Sequence, residues 1–126
     1  GSTYEGSFSD NRKNGSGVYN GADGTHYEGE YKNDKKNGTG TFRYANGDVY
    51  SGEFVDDLRE GSGTYTYANG ESYSGEFSKD RKNGKGVYSW PAPNARSYDG
   101  YFENGTVVIR EDTPAPDDMQ NEVTEG

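Results

Sequence analysis

Nonpolar and polar positions alternate along most of the chain, and the nonpolar ones are filled by aromatic rings or glycine more than by aliphatic side chains. From Tyr27 onward, Tyr27, Gly29 and Tyr31 share one face against Glu28 and Glu30. In the following stretch Gly38, Gly40, Phe42 and Tyr44 oppose Thr39, Thr41 and Arg43. A two-residue period marks β-strands, because successive Cβ atoms of an extended chain point to opposite faces. No segment carries a 3.6-residue period, so the pattern predicts an all-β chain of about ten short strands.

Tyr-x-Gly recurs at Tyr4, Tyr27, Tyr50, Tyr73 and Tyr98, at intervals of 23, 23, 23 and 25 residues. A fixed period of this length signals tandem units that bury their apolar faces only by stacking on neighbours. The units read as 4–26, 27–49, 50–72 and 73–97, with 98–110 a partial fifth that ends in a final strand, "GTVVIRE". Residues 1–3 are expected to be an expression remnant, and the abrupt start at Tyr4 leads us to expect a piece of a longer chain.

Strand register follows from the loops. A three-residue loop at Ala45-Asn46-Gly47 pairs Phe42 with Tyr50 and Gly40 with Gly52, which keeps rings beside rings. It also sets Gly47 where a type I turn followed by a G1 bulge needs a left-handed residue. The other connection must then be even, and Asn33 to Lys36 is expected as a four-residue loop with Tyr31 opposite Gly38, Gly29 opposite Gly40 and Tyr27 opposite Phe42. This register predicts an elongated single-layer antiparallel sheet of 23-residue hairpins. A central furrow of glycines is bordered by the Tyr27, Phe42, Tyr50 row and by a second row, Phe8, Tyr31, Phe54, Phe77 and Phe102, each opposite a glycine. Rings lying over glycines bury aromatic area against backbone, at about 25 cal/mol per Å² of apolar surface.

Composition alone points elsewhere. Leu, Ile, Val and Phe make up 14 of 126 residues and the net charge is −9, values typical of disordered chains. The regular spacing of the 12 tyrosines and five phenylalanines overrides that inference. There is no cysteine, which removes disulfides and thiolate metal sites. No apolar run approaches the roughly 20 residues that cross a bilayer, and no signal-peptide core is present, so a soluble, cytoplasmic protein is expected. Residues 111–126 carry six acids and no base, and are expected to form an acidic disordered tail or linker.

The unit Tyr-x-Gly-x-(Tyr/Phe)-x-Asn-x-x-x-Asn-Gly-x-Gly-x-(Phe/Tyr)-x-Tyr-x-Asn-Gly, carried from Tyr4 to the region of Gly105, resembles the MORN repeat, the membrane occupation and recognition nexus motif. The chain departs from that family in having Tyr31, Phe54 and Phe77 where Trp is frequent. It also has Asn33-Asp34 then Asn37-Gly38 where Asn-Gly then His-Gly is frequent. The resemblance implies a non-enzymatic protein-binding scaffold, often cytoskeletal or ciliary, with membrane association in some members. Within the family, the combination of these repeats with an acidic tail most resembles radial-spoke head proteins of the cilium or flagellum.

No catalytic constellation or cofactor motif stands out, and no enzyme activity, cofactor or metal is expected. His26, the one histidine, reads as a surface residue beside a turn. Gly38-Thr39-Gly40 and its equivalents recur within strands with no following helix, which sets them apart from phosphate loops. Glu28, Glu30, Glu53 and Glu76 read as the solvated face. A protein partner is expected on the aromatic face, at Tyr31, Tyr44, Phe54, Tyr67, Phe77 and Trp90, because a single-layer sheet has no second layer to cover it. The alternative is a lipid- or phosphoinositide-contacting tether that uses Arg12, Lys13, Lys35, Lys36, Arg81 and Lys82 in loops along one edge; a further one is the regulatory part of a larger enzyme. Nucleic acid is not expected of so acidic a chain. Val107, Val108 and Ile109, the most β-prone run, are expected to pair with a second copy about a two-fold axis or with a partner's strand.

Overall fold

The structure is a computed structural model that describes residues 1–108. It consists of one antiparallel sheet of ten strands in chain order. The strands are β1 (Thr3–Ser9), β2 (Arg12–Asn20), β3 (His26–Lys32), β4 (Lys35–Arg43), β5 (Val49–Val55), β6 (Leu58–Thr66), β7 (Ser72–Ser78), β8 (Arg81–Trp90), β9 (Arg96–Glu103) and β10 (Thr106–Val108). Ile109 and the acidic tail lie outside the described residues.

The odd connections form as their sequence dictates. Phe42 pairs with Tyr50 and Gly40 with Gly52. In the loop between them the Tyr44 N–H donates to the Asp48 carbonyl at 2.8 Å, the Gly47 N–H donates to the Tyr44 carbonyl at 3.0 Å, and Gly47 has φ +99°. A side chain in that backbone conformation would be strained, which is why glycine stands there.

The even connections depart from expectation. Asn33 and Asp34 form a two-residue turn with φ of +50° and +71°, so Lys32 pairs with Lys35 and Tyr31 with Lys36 instead of Gly38. Two positive φ angles in a two-residue hairpin loop are the type I′ geometry, whose twist matches the flanking strands, and Asn and Asp tolerate it. The displaced residues are absorbed in a bulge: Asn37, Gly38 and Thr39 stand against Glu30 alone, between the predicted pair Gly29–Gly40 and the unpredicted pair Tyr31–Lys36. Gly38 pairs with Phe54 on the following strand, so Tyr31, Phe54, Phe77 and Phe102 each face a glycine on the preceding strand, whereas Phe8 faces only Lys13. The Glu30 carboxylate closes the bulge by accepting from the Thr39 N–H at 2.7 Å and the Thr39 hydroxyl at 2.8 Å. These bonds hold its pKa below the usual carboxylate value. Glu53 and Glu76 serve the Ser62 and Lys85 N–H groups in the same way, so three acids read as solvated are bulge fasteners.

The core is a layer of rings on one face of the sheet. Tyr27, Tyr50 and Tyr73 are fully covered, and each is wedged edge-to-face between a ring of its own unit and one from the next. Tyr50, for example, meets Phe54 and Phe77, both at 5.0 Å. Tyr27 meets Tyr31 at 5.1 Å and Phe54 at 5.4 Å, and Tyr73 meets Phe77 at 5.2 Å and Phe102 at 4.9 Å. Edge-to-face pairs contribute about 0.5–1.5 kcal/mol each beyond the area they bury, and here half of them cross unit boundaries. The glycine row is consequently filled, not an open furrow. A Cβ on Gly40 would come within 2.6 Å of Tyr27 ring carbons.

Candidate binding site

The aromatic face offers less than its composition promises. Tyr31, Phe54 and Phe77 are buried in the ring layer, so they are core residues and unavailable to a partner as this sheet stands. Herringbone packing between units covers them, which the absence of a second layer had argued against. Tyr44, Tyr67 and Trp90 remain half-buried. They belong to a ladder that runs along the three-residue-loop side of the sheet: Phe42 to Tyr44 at 4.6 Å, Tyr44 to Tyr65 at 5.5 Å, Tyr65 to Tyr67 at 4.8 Å, Tyr67 to Tyr88 at 5.9 Å and Tyr88 to Trp90 at 4.8 Å. The Arg96 guanidinium caps Trp90 at 4.2 Å from the ring centroid, and the Lys82 ammonium donates to the Tyr67 hydroxyl at 2.8 Å.

Behind the ladder, the two loops after Tyr44 and Tyr67 are each braced by an acid. Asp48 is the buried charge among the described residues; it accepts from the Tyr65 hydroxyl at 2.6 Å, the Ala68 N–H at 2.8 Å and the Asn46 amide at 3.3 Å. Burial acts to raise its pKa, but the three donors together outweigh that, and the net shift is downward. Glu71 repeats the role one unit on, accepting from Tyr88 at 2.6 Å. Burial pushes Tyr44 up, pushes Tyr50 up to about 12, and raises Tyr27, Tyr31, Tyr65 and Tyr73 further, so all of these hydroxyls stay neutral donors.

The predicted lipid-contact residues split into two sets. Lys13, Lys36 and Lys82 fold onto the ring layer. Lys36, for instance, lies 5.2 Å from the Phe42 ring centroid and 3.3 Å from the Asp57 carboxylate. Arg59 takes the same place one unit later, over Tyr50, Tyr65 and Phe77 and against Asp80. Arg12, Lys35 and Arg81 stay exposed. Arg12 and Lys35 join Lys32, Asn37 and Val55 around a hollow of about 560 Å³. Sequence reasoning missed Arg59 because its loop, "VDDLRE", is net negative, yet Lys13, Lys36, Arg59 and Lys82 are spaced one unit apart with Asp34, Asp57 and Asp80 each 21 residues beyond the first three. That spacing is the signal that finds the clamp.

The opposite face holds a shallow trough of about 920 Å³ floored by Gly17, Gly29, Gly40 and Gly52 and walled by Glu5, Glu28, Ser16, Thr41 and Ser51. Glu5, Glu28 and Glu30 make its lining acidic. His26 bonds Asn20 at 2.7 Å and stands apart from this trough. At the C-terminal edge Val107 is buried opposite Phe102, and Val108 follows it on β10. Among the described residues, no group of three or more His, Cys, Asp or Glu side chains is placed to hold a metal ion.

The MORN repeat profile matches residues 4–26, 27–49, 50–72 and 73–92. The chain belongs to the MORN repeat family. A comparison with curated proteins gives no match. MORN repeats of this all-β kind form a repeat-type binding or scaffold module that contacts proteins or membrane lipids, and the ring ladder, the trough and the exposed cations are the surfaces this MORN array presents.

Proposed function

We propose that this MORN array is a non-enzymatic scaffold that holds a protein partner in a cytoplasmic, cytoskeletal assembly of the ciliary or flagellar kind. The observation that carries partner binding is the Tyr44–Tyr67–Trp90 ladder. It consists of half-exposed rings held rigid by their own stacking, which spares a partner the cost of ordering them. The assembly assignment rests on family resemblance and on the acidic segment after the repeats. In affinity capture from an extract of ciliated cells, Trp90→Ala and Tyr67→Ala should lose the partner, while Glu28→Arg, in the trough on the other face, should retain it. Equal capture by all three variants would remove the ladder from the function.

A second reading, contact with anionic lipid, is favoured by the exposed cluster of Arg12, Lys32 and Lys35, none of which forms an ion pair among the described residues. Co-sedimentation with vesicles containing phosphoinositide, lost in the Arg12→Glu/Lys35→Glu double variant and at raised salt, distinguishes it from the first.

A further inference from the structure

Successive units are joined at their turns by a cation and a carboxylate, at three joints but not at the fourth. The Lys13, Lys36 and Arg59 N–H groups donate to the carboxylates of Asp34, Asp57 and Asp80 respectively, each at 2.8 Å. The side chains of the same three cations reach those oxygens at 3.9, 3.3 and 3.3 Å. In return the aspartate N–H groups donate to the carbonyls of Lys13, Lys36 and Arg59 at 3.0, 2.9 and 3.0 Å. Lys82 continues the series of cations, and Gly105 takes the aspartate's place: its N–H donates to the Lys82 carbonyl at 2.8 Å. The backbone half of the joint is kept, and the residue at position 105 brings no carboxylate to it.

This joint lies between the start of β8 and the turn from β9 to β10, so both of its sides are within the described residues. Asn104 and Gly105 have φ of +50° and +89°, against +50° and +71° for Asn33 and Asp34, so the turn backbone is of the same kind and accepts an aspartate. Around it is a hollow of about 240 Å³ lined by Lys82, Gly105, Arg59, Asp80, Arg81 and Tyr67 among others. Asp80 is engaged by Arg59, whereas Arg81 and Lys82 form no ion pair among the described residues. The Lys82 ammonium is nevertheless held in place. It donates to the Tyr67 hydroxyl at 2.8 Å and lies 5.5, 5.8 and 5.9 Å from the ring centroids of Tyr67, Tyr73 and Tyr88. Ring faces and a neutral hydroxyl position this charge without neutralising it, which is what a carboxylate does for Lys36 and Arg59.

We propose that this hollow is a binding site for a carboxylate carried by an acidic peptide segment, which takes the part that Asp34, Asp57 and Asp80 play at the other joints. Lys82 offers its ammonium and its backbone N–H, as the cations of the other three joints do, and Arg81 adds a second positive charge at the exposed rim. Because the ring layer already fixes the Lys82 side chain, the ligand is spared the cost of ordering it. A carboxylate suits the site better than a phosphate does: the three built joints hold carboxylates, and Asp80 in the lining repels a dianion more strongly than a monoanion. Two sources carry this chemistry, the six acids of residues 111–126 of the same chain and an acidic segment of a partner. The site stands without the aromatic ladder acting as a binding surface, since it uses charge and a turn where the ladder uses ring area.

The test is an amide NMR titration of the full, isotope-labelled chain with N-acetyl-aspartate N-methylamide, the ionic strength being held constant with sodium chloride. The Lys82 and Gly105 amide resonances should shift together and saturate in roughly the millimolar range. Gly105→Asp, which writes the fourth carboxylate into the chain, should abolish that response and raise the melting temperature by about 2–5 °C. Lys82→Gln should weaken binding by at least about fivefold while amides elsewhere in the sheet keep their positions. Where the chain's own acids fill the hollow, the parent should not respond, and the response should appear once the six acids of residues 111–126 are changed to their amides; that outcome supports the site and names its source. A chain that responds in neither form overturns the proposal. So does a response that persists unchanged in Gly105→Asp, or one that inorganic phosphate elicits at lower concentration than the aspartate derivative does.

Discussion

The ring of Tyr50 lies flat on Gly63: a Cβ added to that glycine would stand 2.6 Å from Cζ of the ring, while the Tyr50 hydroxyl donates to the Glu53 carbonyl at 2.8 Å. Ring, glycine and carbonyl form one lock, because the hydroxyl reaches its acceptor only when the ring is down. Gly63→Ala should therefore destabilise the sheet by about 1–3 kcal/mol through overpacking, although alanine has no conformational conflict at that position. Ser51→Ala on the polar face should stay within about 0.5 kcal/mol. Thermal melts of the two variants compare them directly, and equal midpoints would mean that the ring does not rest on the glycine.

Buried neutral tyrosines make alkaline stability a readout of the same layer. Burial raises Tyr50 from an ordinary value of 10.0 to about 12, and it raises Tyr27, Tyr31, Tyr65 and Tyr73 as well. A raised acid contributes stability that is complete below its unfolded pKa and is lost as pH climbs through the folded one. The sheet should hold up to about pH 10 and unfold cooperatively above it, with tyrosinate absorbance rising together with the loss of β signal. Tyrosines that ionise near pH 10 in an intact sheet would contradict this.

Strand parity was legible from the residues, because rings must face rings: the Phe42–Tyr50 and Gly40–Gly52 pairs were read directly from the odd loop. The Asn33–Asp34 turn was not. A four-residue loop and a two-residue turn followed by a bulge differ by two residues, so both leave every side chain on the same face, and alternation cannot separate them. The separating clue was Gly38, whose left-handed backbone marks a bulge. Burial of Tyr31, Phe54 and Phe77 was likewise hidden, since it depends on ring tilt between units, and tilt leaves no trace in a period. The Lys36 clamp was obscured because a basic run next to a turn ordinarily reads as a solvated edge, and the Arg59 clamp because its loop is net negative.

Those clamps make a prediction of their own. Arg59 bonds the Asp80 carboxylate and the Asp80 carbonyl and covers the Tyr65 ring at 5.1 Å, with its side chain only 19% exposed. A partly exposed ion pair and a cation over aromatic faces together contribute about 1–2 kcal/mol. Arg59→Ala should cost that amount and Arg81→Ala, from the exposed set, close to nothing. Denaturant melts of the two variants that overlay each other would show that the clamp carries no energy.

The three-residue loops predict an acid limb. Asp48 is held ionised by donors from Tyr65, Ala68 and Asn46 that outweigh its burial, so its folded pKa lies below the ordinary 3.8. A depressed carboxylate contributes stability that is present above its unfolded pKa and lost as pH falls through the folded value. Asp48→Asn keeps one acceptor oxygen but removes the charge, so the variant should melt below the parent at neutral pH. Titration of Glu30 and Asp23, also lowered by their own hydrogen bonds, is common to both proteins and cancels in the comparison. The gap between the two melting curves should accordingly persist from about pH 7 to about pH 5 and close below about pH 3, where the parent's carboxylate is protonated too. A gap that stays constant down to the lowest pH at which the parent folds would show that Asp48 acts through shape alone and that its charge is not what Tyr65 and Ala68 hold in place.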